Sequence, residues 1–211
     1  MLRFKANEGF ELLPDDPRLR RGPGGPPPGT STLGVKLFLA ALSFLFAASI
    51  VAYVIVVRRI EPAEQPLLPR LGLGLGAATG LLLASSAALA LGVRAIRRGD
   101  ADRLARYALW TLCLGFAFLG AQSFNWWQLV ALDLPPNAKD LHGFTFYMLT
   151  VTHALHVVGG LVPLALVTVR AQARRYTAES HEGVTNVALY WHFLDVVWLL
   201  MLATMFFTLV A

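Results

Sequence analysis

Apolar residues along this chain fall into five long blocks separated by short polar stretches. The blocks run over 37–57, 71–93, 107–132, 141–169 and 187–211, and none of them contains a lysine or an arginine. A helix needs about 20 apolar residues to cross the hydrocarbon core of a bilayer, and each block meets that length. The pattern therefore predicts an all-α, polytopic membrane protein whose five transmembrane helices form a bundle.

Composition agrees with this prediction and narrows the possible functions. Hydrophobic residues make up 56% of the 211 residues and charged residues only 15%, against about 25% charged in a typical soluble domain. The spans use nearly all of residues 33–211, which leaves no soluble domain to hold an active site. Residues 1–32 form a tail rich in proline and glycine, which carries too little apolar surface to order itself.

The distribution of basic residues predicts an orientation and argues against nucleic acid binding. The net charge is +5, but the lysines and arginines flank the apolar blocks instead of forming one patch interleaved with aromatic residues. The side of the membrane that holds the N-terminal tail receives 14 of the 18 basic residues. By the positive-inside rule, we expect the N-terminus in the cytoplasm and the C-terminus outside.

A row of small residues follows the second block at every fourth position. The row consists of Gly72, Gly76, Gly80, Ala84, Ala88 and Gly92. Small side chains allow two helix backbones to approach closely within a membrane. We expect a helix–helix seam here, formed either within this chain or against a partner.

Three of the blocks carry polar side chains that are costly inside a bilayer. They are Gln122, Asn125, His153, His156, His192 and Asp195. The simplest interpretation is a network of hydrogen bonds between helices, together with lipid head-group contacts near the interface. Haem ligation by His153 or His156 with His192 is one alternative. Proton transfer through His156, His192 and Asp195 is another.

The last block contains a specific motif. Residues 190–198 read YWHFLDVVW, which closely resembles the last-helix signature of subunit III of cytochrome c oxidase and related haem-copper oxidases. The stretch 143–157, with its two histidines, resembles the family's preceding helix, and Gly115, Phe118 and Gln122 match the helix before that. The resemblance covers roughly residues 33–211 and is to the five-helix bacterial form of the subunit.

The resemblance implies a non-catalytic subunit III of a bacterial terminal oxidase in the cytoplasmic membrane. Haem and copper would then lie in subunits I and II, while this chain would hold phospholipid, dock beside subunit I and stabilise the complex without a cofactor of its own. Trp126, Trp191 and Trp198 would be packing or interface anchors.

The chain departs from the family pattern at three positions where a glutamate is usual. These positions are Leu42, Asn125 and Thr185. The resemblance therefore does not carry a carboxylate-dependent proton-collecting role to this chain.

Two other functions stay open at this stage. Nitric oxide reductase systems also include subunit III-like proteins, and a stand-alone b-type membrane cytochrome would use the histidines named above. A small-solute carrier lacks support, because the sequence shows neither an internal repeat nor a pair of broken helices at the midplane.

Overall fold

The computed structural model describes residues 30–59, 67–132 and 141–210, and these residues form five α-helices joined by short connections. The helices are α1 (Thr30–Val57), α2 (Leu67–Arg97), α3 (Ala101–Ala131), α4 (Leu141–Gln172) and α5 (Glu182–Val210). Each is long and apolar enough to cross a membrane. The predicted all-α fold with five transmembrane helices is therefore confirmed. The predicted tail lies outside the described residues, apart from its last three positions, 30–32, which begin α1.

All five helices are longer than the apolar blocks that predicted them. The prediction for the second span stopped at residue 93, whereas α2 continues through Arg94 to Arg97, and α3 begins at Ala101, six residues before its block. Charged residues do not interrupt helical hydrogen bonding, and long arginine side chains extend from a helix end toward the head-group region. The apolar pattern therefore located the hydrocarbon-spanning part of each helix but not its ends.

A tight turn joins α2 to α3 and fixes them as an antiparallel pair. Gly99 has a φ of 80°, a left-handed conformation that glycine adopts without steric cost. Asp100 then caps α3, because its side chain accepts a hydrogen bond from the backbone N–H of Arg103 at 2.9 Å. The two helices stay in contact along much of their length.

Contacts between helix ends define an up-and-down bundle. Near the start of α1, the Thr32 hydroxyl donates to Asn186 Oδ1 at 2.9 Å. This bond connects the start of α1 to the start of α5. Arg174, just after α4, forms a 2.9 Å ion pair with Asp102 at the start of α3. The starts of α1, α3 and α5 therefore share one end of the bundle, which is the end with the arginine-rich connections. This end is the one that the charge distribution predicts to be cytoplasmic.

The small-residue row on α2 turns from the outside of the bundle to the inside. Gly92 is buried, and a Cβ added there would lie 3.2 Å from Cβ of Tyr107 on α3. Gly72, Gly76 and Gly80 are exposed, and a Cβ on any of them would meet no described atom within 4 Å. Among the described residues, the expected seam within the chain therefore forms at Gly92 and not at these three glycines.

Candidate functional site

The motif on α5 joins that helix to α2 through two buried indoles. The Trp191 N–H donates to Ser85 Oγ at 2.9 Å, and the Trp198 N–H donates to Thr79 Oγ1 at 3.0 Å. Trp191 and Trp198 are two helical turns apart, so both rings project from the same side of α5 toward α2. Each indole therefore fills the interior with apolar surface while its polar N–H is satisfied.

Two glycines on neighbouring helices make room for the motif. A Cβ added to Gly115 on α3 would lie 2.9 Å from the Trp191 ring, and one added to Gly160 on α4 would lie 2.7 Å from the Tyr190 ring. Tyr190 also donates its hydroxyl proton to the backbone carbonyl of His156 at 2.9 Å. The motif thus connects α5 to α2, α3 and α4 at one level of the bundle, and we call this region, centred on Trp191, the α5 joint.

The polar pair on α5 lies beside the α5 joint and also faces α2. His192 Nδ1 is 2.6 Å from Ser86 Oγ and 3.6 Å from Asp195 Oδ2. The His192 side chain is 40% exposed, whereas that of Asp195 is only 6% exposed. Among the described residues Asp195 has no hydrogen-bond donor, and the His192 ring is the contact described for its carboxyl, an ion pair when the imidazole is protonated.

His153 is enclosed by aromatic rings instead of polar groups. It is completely buried, with ring centroids 5.2 Å from Trp198, 6.1 Å from Phe118 and 6.2 Å from Phe46. Neither ring nitrogen has a hydrogen-bond partner among the described residues. His153 therefore joins an aromatic cluster, and the expected hydrogen bonds across helices are not seen for it.

His156 lies one turn further along α4 in a more open environment. Its Nδ1 is 2.7 Å from the backbone carbonyl of Thr152 on its own helix, and its ring is 5.0 Å from that of Phe46. His156 also lines a groove between α1, α4 and α5 with a volume of about 520 Å³. Most of the groove lining is apolar, with Phe38, Leu155 and Pro163 among the lining residues.

The polar residues of α3 form a separate cluster at the other end of the bundle. Gln122 and Asn125 are buried, and the Asn125 amide donates to Gln122 Oε1 at 3.4 Å. Asn125 packs against Gly74 of α2, where an added Cβ would collide with its side chain. Trp126 donates its indole N–H to Thr150 of α4 at 3.1 Å. This cluster connects α3 to α2 and α4.

The structure thus divides the predicted polar residues into two pairs and two separate histidines, of which His156 lines the groove described above. Gln122 and Asn125 contact each other, His192 and Asp195 contact each other, and His153 stands apart among aromatic rings. The hydroxyl partners were not predicted, although Thr79, Ser85 and Ser86 are the only hydroxyl residues in the second apolar block. All three hydroxyl groups bond side chains of α5. Their presence in an otherwise apolar block was the signal that the sequence offered.

The positions of the missing family glutamates are occupied by neutral side chains in different settings. Leu42 is buried within α1, and Asn125 belongs to the α3 cluster. Thr185, half-buried near the start of α5, donates its hydroxyl to the carbonyl of His181 at 3.5 Å. Among the described residues no group of three or more histidine, cysteine, aspartate or glutamate side chains is placed to hold a metal ion.

Comparison with known proteins identifies the family. The family model described as cytochrome c oxidase subunit III matches residues 31–209. The chain belongs to the cytochrome c oxidase subunit III family. It is therefore a multi-pass membrane subunit of an oxidoreductase complex, and the family assignment does not favour a nitric oxide reductase component or a stand-alone cytochrome.

Bacterial members of the subunit III family align with this chain over most of its length. A probable cytochrome c oxidase subunit 3 of Nocardia farcinica is 29% identical over 181 residues, which cover 85% of this chain and 89% of the relative. Cytochrome c oxidase subunit 3 of Synechocystis sp. is 37% identical over 82% of this chain and 74% of the relative. Cytochrome c oxidase subunit 3 of Carassius auratus is 31% identical over 147 residues, which cover 70% of this chain and 51% of the relative.

Proposed function

We propose that this chain is the non-catalytic subunit III of a bacterial haem-copper terminal oxidase in the cytoplasmic membrane. In this role it docks on subunit I, while subunits I and II hold the haem and copper that reduce dioxygen and drive proton translocation. The observation that carries the proposal is the α5 joint, because the motif residues typical of the family are those that hold α5 to α2 and α4. A rigid bundle is what a docking subunit must supply.

The exposed glycines of α2 support a docking surface on that helix. Gly72, Gly76 and Gly80 leave a face of α2 without side chains and without a neighbour among the described residues. A partner helix can approach such a face closely, and the resulting van der Waals contact is a main source of helix association in lipid. This face is our candidate for the contact with subunit I.

The groove between α1, α4 and α5 supports phospholipid binding. Its volume of about 520 Å³ and largely apolar lining suit an acyl chain, while His156, Asn186 and Tyr190 are the polar residues of the lining. The groove lies toward the end of the bundle where α1 and α5 begin, since Val35 and Val187 both line it. A lipid there would fill the space between α1 and the α4–α5 pair.

The test is purification of the tagged chain in mild detergent, with a reduced-minus-oxidised visible spectrum before and after partner subunits are stripped. We expect haem bands and dioxygen consumption in the intact preparation, and no haem on the stripped chain. Haem that stays with the chain after stripping would support a cytochrome instead. A haem-free preparation that contains no other multi-span protein would overturn the oxidase assignment.

A further inference from the structure

Two adjoining cavities open at the turn between α2 and α3. One has a volume of about 280 Å³ and lies between the two helices, and the other, of about 380 Å³, lies on α3. Arg103 and Tyr107 line both. We call the two cavities together the hairpin pocket. Its lining includes Arg94, Arg98, Arg103, Arg106, Tyr107 and Trp110.

The lining changes from apolar to charged along both helices. On α2, Leu91 and Arg94 are three residues apart and share one face of the helix, and Arg98 follows directly after the helix ends at Arg97. On α3, Arg106 and Trp110 are four residues apart, with the arginine nearer the turn. Both helices therefore present apolar or aromatic groups toward the membrane interior and guanidinium groups toward the bundle end. Tryptophan and tyrosine are the residues that favour this membrane–water interface.

Most of the positive charge in the hairpin pocket is available to a ligand. Asp100 is the one carboxylate in the described lining, and it is engaged by Arg103 through a 3.1 Å ion pair and a 2.9 Å bond to the backbone N–H. Arg94, Arg98 and Arg106 are exposed and make no ion pair or side-chain hydrogen bond with any described residue. As far as the described residues go, the pocket thus holds three guanidinium groups without an anionic partner.

The acidic side chain next to the pocket is also occupied elsewhere. Asp102 is held by Arg174 of the α4–α5 connection at 2.9 Å. The guanidinium groups of the pocket therefore face the lipid and the aqueous phase without competition from that carboxylate.

We propose that the hairpin pocket binds the head group of an anionic phospholipid. The unpaired arginines would contact the phosphate oxygens, which guanidinium groups recognise with charge-assisted hydrogen bonds, and the acyl chains would run down past Leu91 and Trp110. Basic pockets between transmembrane helices on the cytoplasmic side recognise such lipids. The pocket is separate from the groove between α1, α4 and α5, and its ligand does not depend on the identity of the partner subunits.

The test uses the full-length chain in lipid nanodiscs and the fluorescence of Trp110, isolated by subtracting the signal of a Trp110→Phe variant. Phosphatidylglycerol or phosphatidylcholine, each brominated in its acyl chains, is the quencher at equal mole fraction. We expect stronger quenching by the anionic lipid. The double variant Arg94→Gln/Arg98→Gln is expected to weaken this preference, by about fivefold for each arginine removed.

The matched control is Arg97→Gln/Arg175→Gln, which removes the same charge from the same end of the bundle at residues that do not line the pocket. It should retain the preference, and equal loss in both variants would show a general surface attraction and overturn the site. Equal quenching of the unaltered chain by the two lipids would do the same. Inorganic phosphate at constant ionic strength should not displace the lipid, and displacement would identify a site for free phosphate instead.

Discussion

Trp191 of α5 donates its indole proton to Ser85 of α2 over 2.9 Å, and Ser85 in turn donates its hydroxyl proton to the Leu82 carbonyl at 2.6 Å. Both side chains are buried, with no more than 1% of either exposed. The serine hydroxyl is therefore acceptor and donor at once, so the indole is tied to the backbone of α2 by a short chain of hydrogen bonds. Ser85 therefore connects α5 to the backbone of α2.

Replacement of Ser85 by alanine should destabilise the folded chain. The substitution leaves the buried Trp191 N–H without a partner, a loss that costs about 1–3 kcal/mol in protein interiors. The measurement is the midpoint of thermal unfolding in detergent, followed by tryptophan fluorescence. Ser43→Ala is the matched control, since Ser43 is exposed and, within the described part of the chain, bonds only the Leu39 carbonyl of its own helix. Equal midpoints for the two variants would contradict the role of the Trp191–Ser85 bond.

Gly160 should not tolerate a larger side chain. A Cβ there would lie 2.7 Å from the Tyr190 ring and 3.4 Å from the Trp191 ring, so Gly160→Val forces α4 and α5 apart. Overpacking of this kind costs about 1–3 kcal/mol, measured as the loss of folded, monodisperse protein on size-exclusion chromatography. The adjacent Gly159→Val serves as the control, because a Cβ at that position would meet only the Tyr190 hydroxyl at 3.9 Å. The prediction is wrong if both variants are recovered equally well.

The number and type of helices could be predicted because membrane spanning depends on the length of an apolar segment, which can be counted in the sequence. The direction in which each polar side chain points, and therefore its partner, could not be predicted. Trp126 and Trp127 are neighbours in sequence, yet Trp126 bonds Thr150 in the interior while Trp127 is 63% exposed and stacks on Phe124. Successive helical residues point about 100° apart, so their partners depend on how the helices rotate against each other, which packing decides.

The same limit explains the outcome for the histidines. The sequence indicates that each buried imidazole is costly but not what surrounds it. His192 lies against Ser86, whereas His153 is enclosed by Phe46, Phe118 and Trp198. The sequence predicted hydrogen bonds for both histidines. Their environments differ because aromatic rings from three helices surround His153 and not His192.

His153 should be replaceable by leucine with little effect. Neither of its nitrogens has a partner among the described residues, so leucine removes no described hydrogen bond and spares the cost of burying an unpartnered polar group. We expect His153→Leu to leave the yield and dioxygen consumption of the purified complex close to those of the unaltered complex. A complex that assembles normally but loses activity would show that the imidazole has a chemical role.

His192 and Asp195 should show strong coupling. Asp195 is buried, and His192 Nδ1 lies 3.6 Å from its carboxylate. His192→Leu removes the side chain that contacts the buried carboxylate. Breaking a fully buried ion pair costs about 3–5 kcal/mol, and because 40% of the His192 side chain is exposed we expect a smaller loss here. We expect this variant to weaken assembly of the complex, as Asp195→Leu also should, and the double variant His192→Leu/Asp195→Leu to recover much of the loss. Additive losses in the double-mutant cycle would show that the two side chains act independently.

Gly76 should be sensitive only when the partner is present. It is exposed on α2 with no described atom within 4 Å of an added Cβ, so Gly76→Leu leaves the isolated chain with an unchanged unfolding midpoint. If this face docks on subunit I, the leucine overpacks the contact at a cost of about 1–3 kcal/mol, which lowers affinity by roughly five- to 150-fold. The measurement is the haem that co-purifies with the tagged chain. Gly120→Leu on α3, also exposed and uncrowded, is the control and should retain the haem. Equal retention by both variants would move the docking surface away from α2, whereas equal loss would show that any added bulk on the lipid-facing surface disrupts the complex.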